Sequence, residues 1–188
     1  MAVLNEQVRE RVRREFEGLE EGVRLVVFTQ EFECEHCREN TSLAREVASL
    51  SDKLDVEVYN FALDKEAVER YGVDKIPAIV VEGEKDYGIR FYGVPSGYEF
   101  ASFLEAIKAV SAGKSGLSPE TKEALRGLKE PIHLQVVVTL PDHTAPWLCS
   151  WHRGWLWRAT WCGRTWWRAR SLRTWCRNTT SLPSPRRW

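Results

Sequence analysis

Apolar residues recur along this chain in two rhythms, one near 3.6 residues and one near 2, and the switches between them divide it into short elements. Val8, Val12 and Leu19, with Phe16 between them, fall at helical spacing among Glu and Arg, predicting an amphipathic helix over residues 3–19 that ends at Gly18 and Gly22. Arg24-Leu25-Val26-Val27-Phe28-Thr29 is a nearly continuous apolar run, the pattern of a strand covered on both faces. Gln30 to Glu33 and Cys34-Glu35-His36-Cys37 follow, and Leu43, Ala44, Val47 and Leu50 then return at helical intervals. The two cysteines therefore sit where a strand hands over to a helix.

Residues 55–61 alternate polar and apolar and predict a second strand, and Lys65 to Tyr71 predicts a short helix ending at Gly72. Residues 76–81 predict a third strand with Pro77 at its entrance, followed by a turn over Gly83 to Asp86 and a fourth strand over 89–92. Gly93 to Gly97 interrupts the pattern before a closing helix over 99–110, with Phe100, Phe103, Leu104 and Ile107 on one face. The order αβαβαββα with short connections specifies an α/β fold, a compact sheet flanked by helices.

Residues 1–113 thus read as one domain and 114–117 as a linker. Ser118-Pro119 has the form of an N-cap with proline in the first turn, and Ala124, Leu125 and Leu128 continue a helix. Residues 132–139 form another apolar run, predicting a buried strand. A helix followed by such a strand is how the chain begins, so 118–140 reads as the start of a second copy of the first unit.

Composition sharpens this picture through a break that the formal net charge of zero conceals. Residues 1–146 hold all 27 acidic residues against 18 basic ones, which leaves nine arginines and no acid for 147–188, where all nine tryptophans also lie. No apolar run approaches the roughly 18 to 20 residues of a membrane span, and the charged start is unlike a signal peptide, so a soluble cytoplasmic protein is expected. Of five cysteines only Cys34 and Cys37 are closely spaced, which does not make a secreted disulfide scaffold.

The chemistry lies in that pair. A thiol acts in redox exchange as its thiolate, and a helix N-terminus favours negative charge by about 0.3–1 kcal/mol. His36, when protonated, and Arg38 act in the same direction, while Glu31, Glu33, Glu35 and Glu39 oppose it weakly if solvated. The two-residue spacer places Cys37 one turn behind Cys34, able to close a disulfide and shielded enough to react second. Two other roles compete: half of a zinc site, for which Cys149-Ser150-Trp151-His152 formally supplies a partner, and a purely structural disulfide. Zinc is disfavoured because that partner falls in the anomalous segment, and no metal is expected. Cys149, Cys162 and Cys176 lack metal-ligand spacing, and His133, His143 and His152 read as strand or tail residues.

Together, Glu33-Cys34-Glu35-His36-Cys37, Tyr71-Gly72-Val73-Asp74-Lys75-Ile76-Pro77-Ala78 and Arg90 to Phe100 resemble the thioredoxin superfamily. More closely, they resemble the first half of the glutaredoxin-like protein disulfide oxidoreductases of thermophilic archaea and bacteria, which carry two thioredoxin-fold units in tandem. The resemblance covers residues 1 to about 140. It implies a thioredoxin-like fold, Cys34 as nucleophile, Cys37 as resolving thiol and His36 as the residue that favours the reduced form. It further implies a cis-proline at Pro77 facing the disulfide, with the Ile76 backbone pairing to an extended substrate. The redox-active Cys34–Cys37 disulfide would replace any separate cofactor. Implied partners are protein disulfide substrates and a thioredoxin-reductase-like flavoprotein.

In that family the second unit carries its own CxxC shortly after the strand matching Val136 to Thr139, where this chain has Leu140-Pro141-Asp142-His143-Thr144-Ala145-Pro146-Trp147. Read two nucleotides later, the codons from Pro141 onward permit Tyr-Cys-Pro-Leu-Ala, and each Trp codon becomes one for Leu, Met or Val. Nine arginines among nine tryptophans suit phosphate contact and base stacking, or an anionic membrane surface. The tail has no helical or alternating period and no lysine or acid, however, so neither nucleic acid nor membrane is the expected partner. A change of reading frame near Leu140 or Pro141 is the inference for 141–188. The nucleotide sequence tests it: a reading frame restored near codon 141 should encode a second CxxC and a second Ile/Val-Pro strand entry, and if no frame there does, the inference is refuted.

Overall fold

The computed structural model describes residues 3–126 and 133–136. Helix α1 (Glu6–Phe16) is shorter than its periodicity predicts because Asn5 caps it, its side-chain oxygen accepting from Val8 N at 2.9 Å. Strand β1 (Val23–Thr29), α2 (Cys37–Ala48), β2 (Leu54–Asn60), α3 (Lys65–Tyr71), β3 (Ala78–Glu82), β4 (Asp86–Tyr92), α4 (Tyr98–Ser111) and α5 (Pro119–Arg126) follow. The order through α4 is the predicted αβαβαββα.

The four strands form one mixed sheet in the order β2-β1-β3-β4, with β1 parallel to β2 and β3 antiparallel to both β1 and β4. Alternate residues of the two central strands feed two cores. Leu25 and Val27 of β1 and Ile79 and Val81 of β3 pack with Val12 of α1, Leu43 and Val47 of α2, and Phe103 and Ile107 of α4. Val26, Phe28, Ala78 and Val80 pack on the other face with Tyr71, Val73 and Tyr92. Both faces are covered, which is why these strands are continuously apolar. Three helices thus lie on one face and α3 on the other.

The second face is completed by polar side chains. Glu82, 7% exposed, accepts a hydrogen bond from the Tyr71 hydroxyl at 2.8 Å and lies 3.5 Å from Arg24 and 3.7 Å from Arg70. The buried Arg90 guanidinium donates to the Tyr71 carbonyl and pairs with Asp86.

Besides the shortened α1, three strand expectations differ from what is observed. Strand β3 begins at Ala78 rather than Ile76, because Pro77 has no N–H to give the ladder and contributes only its carbonyl, to Gly93 N at 2.8 Å. Strand β4 begins at Asp86 rather than Ile89, since the Glu82–Asp86 pairing of a tight turn recruits a polar start that no alternation marks. Within the run 132–139, residues 133–136 show an isolated bridge at Leu134 rather than a strand, and Leu134 and Val136 pack against the first core. Ser118 caps α5 as expected, its hydroxyl accepting from Thr121 N at 3.2 Å. The reading-frame expectation for 141–188 lies outside the described residues.

Burial, with the Glu82 hydrogen bond second, pushes the Tyr71 phenol up to about 12, and burial with the Asp74 charge does the same for Tyr92. Both phenols are therefore neutral in the folded state where an unfolded chain would ionise them. The stability this confers is complete below pH 10 and is lost as pH rises from about 10 to 12. In an alkaline absorbance titration, two of the five tyrosines should ionise only in the step near pH 12. Tyr71→Phe and Tyr92→Phe should each remove part of that step, and complete tyrosinate absorbance in folded protein near pH 10.5 would refute the assignment.

Candidate functional site

Strands β1 and β2 are parallel, so their C-terminal ends lie together, and Phe61 N donates to Thr29 O at 2.9 Å to join them. Strand β3 is antiparallel to β1, so its entrance lies at that same end, where Ala78 pairs with Phe28. The sheet thus brings together the loop after β1, which carries the cysteines, the loop after β2, and the Ile76-Pro77 approach to β3. The Ile76–Pro77 peptide bond is cis.

Residues 30–36 hold an irregular turn before α2. The Gln30 amide donates to Phe32 O at 2.8 Å, and Glu33 adopts a left-handed conformation with φ 60°, unusual for a residue other than glycine. Helical bonding starts with Asn40 N on His36 O at 3.0 Å, so Cys37 is the first residue of α2 and Cys34 lies in the turn leading in. Cys34 and Cys37 form a disulfide with Cα atoms 5.5 Å apart. Cys34 is half-exposed and Cys37 is 2% exposed.

The surrounding charges are solvated. Glu31, Glu33, Glu35 and Glu39 are exposed, as is Arg38, and His36 places Nδ1 3.7 Å from Glu39 Oε2. Burial would raise the Asp74 carboxyl, but the adjacent Lys75 ammonium outweighs it and holds this group below its ordinary value. Pro77 is buried, and Ile76 is half-buried against the second core. Among the described residues the Ile76 peptide groups take no backbone hydrogen bond.

Every residue singled out from sequence, Cys34, His36, Cys37, Ile76 and Pro77, lies at this one end of the sheet. The two cysteines are joined directly, whereas Ile76 and Pro77 arrive from the other side of β1. Three features escaped the sequence reading. Phe32 and Leu63 are 78% and 79% exposed, in the loops after β1 and β2 respectively. Phe32 stands alone between two glutamates and Leu63 in an aperiodic stretch, so only their proximity to strand ends marks them. The third is Asn40, fully buried in α2, whose polar type within an apolar stripe is a signal available in the sequence. An open cavity of about 740 Å³, lined by Tyr59, Leu63, Lys65, Arg70 and Tyr71 among others, lies beside α3 and includes neither cysteine. Among the described residues there is no cluster of three possible metal ligands and no helix long and apolar enough to cross a membrane. The Cys149/His152 zinc partner lies outside the described residues.

Residues 24–105 match the family model described as a thioredoxin domain. Among solved structures, the fold is similar to a protein disulfide oxidoreductase from Aeropyrum pernix K1, 22% identical over 86% of this chain and 76% of that one, with a TM-score of 0.73. It is also similar to the NTD_N/C domain of alkylhydroperoxide reductase AhpF from Enterococcus faecalis, 23% identical over 93% of this chain and 84% of that one, with a TM-score of 0.75. Sso1120 from Sulfolobus solfataricus is 14% identical over 95% of this chain and 92% of that one, with a TM-score of 0.59. No curated protein matches the chain by sequence. At these identities the likeness is one of fold, and it agrees with the family match and with the disulfide at the start of α2. Over residues 24–105 the chain thus has a thioredoxin-like α/β fold that matches the thioredoxin-domain model and carries a Cys34–Cys37 disulfide.

Proposed function

We propose that the chain is a thiol-disulfide oxidoreductase acting on protein disulfides through Cys34 and Cys37. The observation that carries this reading is a disulfide between a half-exposed and a buried cysteine at the open end of the sheet. In the reduced protein the Cys34 thiolate attacks a substrate disulfide and releases one substrate thiol. Cys37 then attacks Cys34 Sγ, restoring the internal disulfide, and the substrate leaves with two electrons gained.

Ile76 and Pro77 supply the docking edge on this reading. The Ile76 peptide groups lie in a bend just before β3 and take no backbone hydrogen bond among the described residues, so on this reading a substrate strand can pair with them. His36 tunes the pair when protonated, sharing its charge with Glu39. Residues 1–113 form the working unit, 114–117 a linker and 118–140 the start of a second unit. The fold shared with alkylhydroperoxide reductase AhpF supports a reductase as electron source, in keeping with a thioredoxin-reductase-like flavoprotein partner. A reducing, cytoplasmic setting suits a protein that cycles through free thiols.

Two measurements test this. With dithiothreitol as reductant, the protein should accelerate insulin precipitation, and Cys34→Ser should abolish the acceleration; no activity, or activity surviving the substitution, refutes the redox reading. After reduction, a thiol label followed by mass spectrometry should modify Cys34 before Cys37 at neutral pH, given their exposures. Equal or reversed rates would overturn the assignment of roles.

A further inference from the structure

The carboxamide of Asn40 is completely buried, yet neither its Nδ2 nor its Oδ1 has a hydrogen-bond partner among the described residues. Leaving a buried polar group unpaired is costly, and one in a native core calls for an explanation. Folding supplies none here. Cys37, Asn40, Ala44 and Val47 are all buried positions of α2, at spacings of three, four and three, so an aliphatic side chain at position 40 would complete the stripe.

The placement points to the disulfide. Residues three apart on a helix have Cβ atoms about 5–6 Å apart, and side chains lean toward the helix N-terminus, so Asn40 overlies the turn that begins with Cys37. The obvious backbone alternatives are taken. The Cys37 carbonyl accepts from Thr41 Oγ1 at 2.8 Å, and Asn40's own N–H donates to His36 O. What changes during the chemistry is the Cys37 sulfur. In the disulfide it is a poor acceptor, and as a thiolate it is a strong one, buried and in need of a donor.

We propose that Asn40 is a positioning residue whose amide N–H, unpaired in the disulfide form, donates to the Cys37 sulfur when the disulfide opens. This rests on the oxidoreductase reading above and adds the group that makes the buried thiol competent. In the resolving step Cys37 Sγ gives up its proton and bonds to Cys34 Sγ, and the bond from Cys34 to the substrate sulfur breaks. The substrate sulfur leaves with the electron pair of that bond and takes up a proton, so no further oxidant or base is consumed. Asn40 stabilises the attacking thiolate without adding a negative charge beside it.

The test uses the full chain with Cys149, Cys162 and Cys176 changed to serine, reduced and mixed with 5,5′-dithiobis(2-nitrobenzoate). Attack by Cys34 releases the first chromophore at a rate proportional to reagent, and resolution by Cys37 releases the second at a rate independent of it. In Asn40→Leu and Asn40→Ala the second release should slow at least about tenfold, the worth of one hydrogen bond to a charged group, with the first unchanged. Asn40→Leu should melt no lower than the parent, because it removes an unpaired amide, whereas a merely structural amide would move stability alone. A second release at the parent rate in both variants overturns the proposal, as does slowing seen only in a variant with a lowered melting temperature. Failure of the parent itself to give a second release refutes the oxidoreductase reading instead.

Discussion

Strand β1 has no water-facing side over Leu25 to Phe28, and the rest of the domain is arranged around that constraint. Its alternate side chains enter two separate cores, so neither face can carry a reactive polar group. The chain must place its chemistry where the strand ends. At the C-terminal end β1 passes directly into the cysteine loop, beside the loop of its parallel neighbour β2. Ligands gathering at the carboxyl ends of parallel strands follow the same logic: side chains there can be held by a rigid sheet without being enclosed by it. The antiparallel β3 then brings Pro77 to that end, which a wholly parallel sheet would not do.

The two faces are covered by different means. Three helices bury the first, whereas the second has only the seven residues of α3. Arg24, Glu82 and Arg90 complete the cover there, hydrogen-bonded or paired through Tyr71, Arg70 and Asp86. Such a buried network holds its members only when it is satisfied, and Glu82 and Arg90 both are. Arg70 lies over the Tyr71 ring at 5.0 Å, tying the end of α3 to the same group.

The central strands and main helices were legible because their burial is two-sided or strictly periodic. The run Val26-Val27-Phe28 is too short for a helix and mostly β-branched, and the stripe of α4 keeps the helical period, so each reads as one kind of element. Strand β4 was only half legible, because Asp86 and Gly88 are held by hairpin register and by the Arg90 pair rather than by burial. The strand expected over 132–139 is only partly described: residues 133–136 show an isolated bridge at Leu134, with Leu134 and Val136 half-buried against the first core, and the rest of the run lies outside the described residues. The cysteine pair was readable from its spacing, and Ile76-Pro77 from its strand entry. Phe32 and Leu63 were not, since display at a loop tip leaves no periodic trace. Asn40 was visible as a polar residue among apolar ones, but its lack of a partner is a property of three-dimensional packing.

The charges near Cys34 do not by themselves favour a thiolate. Four glutamates are exposed around it, the Arg38 charge is solvated, and the His36 imidazole faces Glu39 across 3.7 Å in a solvated turn. Solvent screening reduces all of these, with a Debye length of about 8 Å at physiological salt. Stabilisation of sulfur anions therefore falls to short-range donors, which screening does not weaken. Cys34 lies in the turn leading into α2, whose first-turn N–H groups are donors of this kind, while Cys37, the first helical residue, is buried. A buried sulfur with solvent excluded on one side can be served only by a donor from within the core. On the proposed reading, a neutral amide one turn along the same helix meets that need where an aliphatic residue would only have packed.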